Sequence, residues 1–382
     1  MNRFSVSDIG QINRADIDFG DLTVLVGPQA SGKTIFLEML KLLVDTGHIH
    51  QQLLKHGLDW SGDTRTFLDL YLGEGMSSVL KSDSRLAVDG SELLLEDLAS
   101  RRNRSRKNRL FYVPAQRVMT INNGWPLPFQ SYGAQDPYIV REFSETFRRL
   151  MEKEVSMGGA LFPQTQRLKK SHRDLLNKSV FRDYELRIDS HGAQRRLVLG
   201  RAGGSSQIPF MTWSAGQREF VPLLMGLYWL LPASKVSRRD DIEWVILEEL
   251  EAGLHPNAIT AVLFIVLDLL ARGYRVCLST HSPHVLDLVW AIRELQHNNG
   301  RADALLHLFD SPRNPQTRKL AASVIEKTFR VFYFDTATGT TRDISNLDPG
   351  SPDRGESEWG GLTEFSSRAA ETVARVVAET PD

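Results

Sequence analysis

Eight consecutive residues, Gly27, Pro28, Gln29, Ala30, Ser31, Gly32, Lys33 and Thr34, fit the pattern G-x-x-x-x-G-K-[ST] in full. Glycines at the first and sixth positions let a backbone curl until its amides face a phosphate. The lysine supplies an ammonium for the outer phosphates, and the threonine hydroxyl is a hard oxygen ligand suited to Mg²⁺. The residues before the loop, Leu22–Val26, are a short apolar run of β type. Those after it, Thr34–Val44, repeat apolar side chains at Ile35, Leu37, Met39, Leu40, Leu42 and Leu43, the pattern of a buried helix. Strand, loop and helix are the context the motif requires, because the helix N-terminus adds partial positive charge.

Three further segments carry chemistry. Trp244, Val245, Ile246 and Leu247 lead into paired carboxylates, Glu248 and Glu249. Acids at the carboxyl end of a strand lie where ligands bind in open α/β sheets. One suits a metal and its water shell, and the next suits activation of an attacking water. Ser214, Ala215, Gly216 and Gln217 open a helix continuing through Arg218, Glu219 and Phe220, which reads as an anion site or as a plain helix cap. Ser279, Thr280, His281, Ser282 and Pro283 put a histidine after a buried strand, at the start of a helix.

The elements that must hold these groups alternate. Interleaved Ile12, Ala15, Ile17 and Phe19 predict edge strands or a hairpin. Strands are expected at Leu110–Val113, Tyr184–Ile188, Arg196–Leu199, Glu243–Leu247 and Arg275–Ser279. Helices are expected after Tyr138 and over Phe220–Leu231, Asn257–Leu270 and Ser282–Trp290, with a late hairpin at Arg330–Asp335 and Thr340–Ile344. Strands alternating with helices imply an α/β fold with a largely parallel sheet covered on both faces. Asp348–Trp359 reads as a linker, followed by a short amphipathic helix.

The bulk numbers narrow the setting. A net charge of -1 gives no global pull toward nucleic acid or membrane, so any such binding needs a local patch. The single cysteine, Cys277, allows no intrachain disulfide and reads as a buried strand residue. The first residues carry no apolar leader and no stretch is long enough to span a bilayer, so the expected address is the cytoplasm without membrane contact.

Taken in order, the four segments resemble the Walker A, signature, Walker B and His-switch motifs of ABC-type ATPases. The resemblance implies a P-loop NTPase head plus a helical and inserted lobe, with ATP and Mg²⁺ as its ligands. By that similarity Gly27–Thr34 cradles the nucleotide, Lys33 serves catalysis, and Thr34 and Glu248 hold the metal. Glu249 is the catalytic glutamate and His281 senses the γ-phosphate. Ser214, Gly216 and Gln217 reach ATP held by another subunit, which implies a homodimer or larger oligomer. Gln116, after the strand Leu110–Val113, resembles the Q-loop glutamine and falls at the metal.

The interval from Lys33 to Ser214 is much longer than in transporter subunits. Glu249, Leu250, Glu251, Ala252, Gly253, Leu254, His255 and Pro256 resemble the E-P-E-A-x-L-H-P pattern of OLD-family stand-alone ATPases of prokaryotic anti-phage systems. Leu250 replaces the proline of that pattern, and Trp213 and Ala215 replace the usual leucine and glycine of the signature. No Asp-x-Asp follows His281, so no Toprim nuclease is expected and the resemblance implies a separate effector protein. The competing reading is a DNA-maintenance ATPase of the RecF or SMC kind. It draws on the basic run Arg101–Arg109, which reads as a solvated loop, a nucleic-acid phosphate site or a docking site for an acidic partner. The expected organisation is an ATPase half at residues 1–45 and 110–130, an insertion at 46–109 and a helical signature lobe at 131–235. A second ATPase half at 236–347 and a tail at 348–382 complete it.

Overall fold

The computed structural model describes residues 1–100, 105–157, 160–191, 194–201, 203–204, 207–231 and 238–379. Arg101, Arg102 and Arg104 of the basic run lie outside the described residues. The chain begins with β1 (Arg3–Ile9), β2 (Ile12–Asp18), β3 (Leu22–Val26), α1 (Lys33–Lys55) and α2 (Thr64–Leu72). Next come β4 (Leu80–Val88), β5 (Ser91–Leu93), α3 (Leu95–Ala99), β6 (Leu110–Val113), β7 (Ile121–Asn122), β8 (Trp125–Pro126) and α4 (Tyr138–Met157). The middle holds α5 (Lys170–Leu176), β9 (Tyr184–His191), β10 (Gln194–Arg201), β11 (Gln207–Pro209) and α6 (Ala215–Leu230). Then follow β12 (Trp244–Glu248), α7 (Pro256–Ala271), β13 (Arg275–Ser279) and α8 (Pro283–His297). The last elements are α9 (Ala302–Leu308), α10 (Pro315–Ile325), β14 (Phe329–Asp335), β15 (Thr340–Asp343), α11 (Arg354–Ser357) and α12 (Glu364–Glu379).

A mixed sheet in the order β5-β4-β1-β2-β15-β14-β3-β13-β12-β6 forms the body. From β14 to β6 neighbouring strands run parallel. All five residues of β3 and of β12 are buried, as strands covered on both faces require. Alternation along β3 divides the core: Val24 and Val26 face one apolar layer and Leu25 the other. The order β3-β13-β12 has a direct consequence for function. It sets the loops after these three strands side by side at the carboxyl edge of the sheet.

The segment 46–109, expected as an insertion, is joined to this body. Its first ten residues are the last turns of α1, and β4 pairs with β1 to extend the sheet. The strand is hard to read because only Ser84 and Leu86 of its nine residues are buried. The segment 348–359, expected as a linker, is docked. Arg342 pairs with Asp353, and a side chain at Gly360 would lie 2.7 Å from Val26 Cγ2. β9, β10 and β11 form a separate three-stranded sheet within the lobe that leads to α6.

A buried ionic knot locks α1 to β6 and α4. Lys41 Nζ meets Asp45 Oδ2 at 2.8 Å and Glu142 Oε2 at 2.9 Å, and donates to the Leu110 carbonyl at 2.7 Å. Asp45 accepts from the Arg109 and Leu110 amides, which pulls it out of helical geometry (φ -120°). Burial opposes the charge on Glu142, but Lys41 and His48 outweigh it and hold its carboxyl down to about 2. Lys41→Ala leaves Asp45 without an ion-pair partner in the core and Glu142 with His48 alone, and is expected to cost about 3–5 kcal/mol of unfolding free energy. A urea titration checks this; a midpoint equal to the parent's at unchanged slope would refute it.

Candidate nucleotide-binding site

The loop between β3 and α1 is shaped by contact with neighbouring strands. Gly27 has φ 145°, and a Cβ there would lie 2.6 Å from the Phe334 carbonyl oxygen of β14. Gly32 has φ 97°, and a Cβ there would lie 2.5 Å from Ile12 Cγ1 of β2. Both positions therefore exclude side chains, independently of any ligand. Lys33 Nζ donates to the Gly27 and Pro28 carbonyls at 2.8 and 2.7 Å and to Ser31 Oγ at 3.1 Å, which sets the ammonium inside the arc of the loop. Burial draws Lys33 down to about 8, against the pull of Glu249, Glu248 and Glu251. An ammonium so poorly solvated gains strongly from an anion.

Glu248 ends β12 and is buried. Its Oε2 accepts from the Ala115 amide at 3.3 Å, while among the described residues its buried Oε1 has no hydrogen-bond partner. Burial pushes this carboxyl up, against the Thr34 hydroxyl, the Ala115 amide and Tyr112. Glu38, one turn beyond Thr34 on α1, is also buried, and burial together with Glu248 pushes it well above the usual range. An orphaned carboxylate oxygen near the Thr34 hydroxyl fits a divalent cation. Among the described residues no group of three or more His, Cys, Asp or Glu side chains forms a metal site. A cation at Thr34 and Glu248 would therefore take its other ligands from phosphate and water, as Mg²⁺ commonly does.

Glu249 has a backbone that few non-glycine residues adopt, with φ 43°. Its N–H donates to the Ser279 carbonyl at 3.0 Å, and its carbonyl accepts from the Ala252 amide at 2.9 Å. The resulting turn presents the carboxylate to solvent, 3.6 Å from His281 Nε2. Burial lowers the pKa of His281, and Lys33 lowers it further, against Glu249 and Glu251. Glu251 fixes the histidine turn from below, accepting from the His281 amide at 2.6 Å and from Thr280 Oγ1 at 2.8 Å. In the sequence Glu251 stands out only as one residue of the Glu249–Pro256 pattern. Its signal was a second acid two residues after Glu249, in a loop bound to lie beside the loop after β13.

Gln11, Gln29, Ala30, Ser31, Gly32, Lys33, Thr34, Glu249, Ser279 and His281 line one cleft. The cleft measures about 160 Å³. Small-molecule sites start at roughly 300 Å³, so it is sized for a phosphate chain, and the rest of a nucleotide would lie outside it. Two larger clefts, each near 650 Å³, lie elsewhere, beside Arg195 and Phe210 and beside His48 and Arg239. Neither contains a residue of the loop.

Ser214, Gly216 and Gln217 do not line the cleft. They form the first turn of α6, where the Ser214 and Gln217 side chains exchange hydrogen bonds with each other's backbone amides in a capping box. Gly216 backs onto the loop after β12, where a Cβ would lie 2.7 Å from the Gly253 carbonyl oxygen. Gln116, expected at the metal, is exposed and does not line the cleft either. The chain turns into a 3₁₀ helix over Arg117–Thr120, and this turn directs Arg117 inward instead. Arg117 is fully buried and donates to the carbonyls of Glu248 and Glu249, each at 3.0 Å. At the described end of the basic run, Lys107 pairs with Asp241 at 3.7 Å and Arg109 with Glu243 at 2.6 Å.

The family model described as "AAA domain, putative AbiEii toxin, Type IV TA system" matches residues 22–287. No curated protein matches the chain by sequence. Among solved structures, the chain is similar to an SMC head bound to the C-terminal winged-helix domain of ScpA (10% identity, 90% of this chain and 96% of that one, TM-score 0.42). It is also similar to a dimeric bacterial ABC transporter cassette (12% identity, 74% and 89%, TM-score 0.34) and to the SMC head domain from Thermotoga maritima (11% identity, 90% and 97%, TM-score 0.32). No helix among the described residues is long and apolar enough to cross a membrane.

Proposed function

This chain belongs to that AAA-domain family, and from this premise we propose that it binds Mg-ATP in the cleft beside Lys33 and hydrolyses it as an ABC-type ATPase. The observation that carries the reading is the convergence of Lys33, Thr34, Glu249, Ser279 and His281 on one cleft from three separate loops. Lys33 and the loop amides bind the phosphates. Thr34 and Glu248 would hold the metal, which when bound neutralises charge on the β- and γ-phosphates. Glu249 accepts a proton from the attacking water, and His281 orients that carboxylate. Signature residues Ser214, Gly216 and Gln217 serve the nucleotide of a second copy.

A separate effector protein is the second part of the proposal. It is supported by α12, none of whose residues is buried and which exposes Phe365, Val373 and Val377. A sixteen-residue helix with an apolar face exposed to solvent is marginal in water, and a protein partner that covered it would stabilise it.

The test separates the two acids. Glu249→Gln is expected to retain ATP affinity while turnover falls about a hundred- to ten-thousandfold, the range for loss of a general base. Glu248→Gln is expected to weaken Mg²⁺-dependent ATP binding. Binding isotherms and phosphate release measure both. Swapped phenotypes would overturn the assignment.

A further inference from the structure

Arg117 is a fully buried cation that the chemistry just described leaves without a role. A guanidinium taken wholly out of water is costly unless its donors are used. Here Nη1 donates to the carbonyl of Glu248 at 3.0 Å and to that of Pro114 at 3.5 Å, and Nη2 donates to the carbonyl of Glu249 at 3.0 Å. Nε donates to the Glu219 carbonyl at 3.2 Å, and Nη2 lies 3.8 Å from Glu219 Oε2. Glu219 sits in the second turn of α6, five residues after the Ser214 cap. One planar side chain thus joins three pieces of chain: the turn after β6, the acids at the end of β12 and just beyond it, and the helix that carries the signature. A lysine could not make this fork, because its ammonium has no fixed plane.

We propose that Arg117 is a positioning residue for Glu249, holding it in its left-handed backbone conformation and tying that conformation to the first turns of α6. The inference rests on the ATPase reading above. Glu249 at φ 43° needs support from its surroundings, and its carbonyl is one of the points where that support is applied. The second contact of α6 with the same loop is the close approach of Gly216 to the Gly253 carbonyl. A nucleotide that engages the Ser214 turn therefore pushes on a helix that Arg117 links to the backbone carbonyl of Glu249 in the same chain. The two sites of a dimer are coupled in this way: the ATP bound by one copy, through the signature of the other, sets the readiness of that other copy's own site. Arg117 is fully buried, so it acts through Glu249 and does not touch the nucleotide.

Arg117→Gln, Arg117→Lys and Glu219→Gln test this, with ATP affinity, kcat and thermal midpoint measured for each. Arg117→Gln is expected to lose about ten- to a hundredfold in kcat with ATP affinity within about twofold of the parent, the signature of misplaced chemistry rather than lost binding. Arg117→Lys is expected to recover part of that loss. Glu219→Gln cuts the charge link while sparing the carbonyl bonds, and is expected to lower kcat several-fold. In a Glu249→Gln background, adding Arg117→Gln is expected to cost no further turnover, because the group it positions is already gone. Parent-like kcat in Arg117→Lys and Glu219→Gln, or a full additive loss in the double variant, would overturn the proposal. Should the Arg117 variants fail to fold, Glu219→Gln alone decides, and parent-like turnover there overturns it. A parent chain that turns over no ATP at all strikes the ATPase reading instead.

Discussion

Lys33→Ala is expected to abolish ATP turnover, with a loss of at least about a hundred- to a thousandfold, the scale of removing one preorganised group that faces developing charge. The side chain is the ammonium enclosed by the loop, within hydrogen-bond reach of the Gly27 and Pro28 carbonyls and of Ser31. Its burial draws its pKa to about 8, a cost that the loop carbonyls and nearby acids offset in part and that a bound anion would offset further. Removing it should therefore cost binding and little folding stability. The loop keeps its path because that path is set by Gly27 against Phe334 and by Gly32 against Ile12, contacts that Lys33 does not make. Equilibrium binding of ATP and phosphate release give the answer, with the thermal midpoint as control. Turnover at the parent rate in Lys33→Ala would remove the loop from the chemistry. A thermal midpoint far below the parent's would show a structural role instead.

What the sequence disclosed was local. Gly27–Thr34 reads as a phosphate loop because strand, loop and helix are contiguous, and the fold places them so. Glu248, Glu249 and His281 were legible for a related reason: each follows a buried strand of apolar residues, and strand ends form the ligand edge of such sheets. What the sequence hid was the direction of side chains in turns. Gln116 and Arg117 are adjacent polar residues after β6, and only the 3₁₀ turn decides that the arginine goes inward. Lys41 and Glu38 were also readable in principle. They are charges inside the apolar run of α1, facing the core, and such charges need partners or a function. The strand next to the sheet edge was obscure because β4 buries so little that its alternation is nearly all polar.

Mixing two inactive variants is expected to restore activity. Lys33→Ala removes the phosphate ammonium but leaves the first turn of α6 intact. Ser214→Arg blocks that turn but leaves the loop intact. Within one chain the turn at Ser214 does not line the cleft, and its Gly216 rests on the loop after β12 of the same chain. The cleft itself is too small to enclose a whole nucleotide. Both facts favour a site completed by a second copy, and a closed two-fold pair is the commonest way to supply one. In a mixed dimer the loop of the Ser214→Arg chain meets the turn of the Lys33→Ala chain, and one complete site results. Random pairing makes half the dimers mixed, each with one working site of two, so recovered turnover should reach at most roughly a quarter of the parent's. Coupling between sites through Arg117 would lower that figure without abolishing it. Light scattering on Glu249→Gln with ATP supplies the second readout, expected at the mass of a dimer or larger. No recovery in the mixture, together with a strict monomer that still turns over ATP in the parent form, would defeat the shared-site mechanism and leave a self-contained P-loop enzyme.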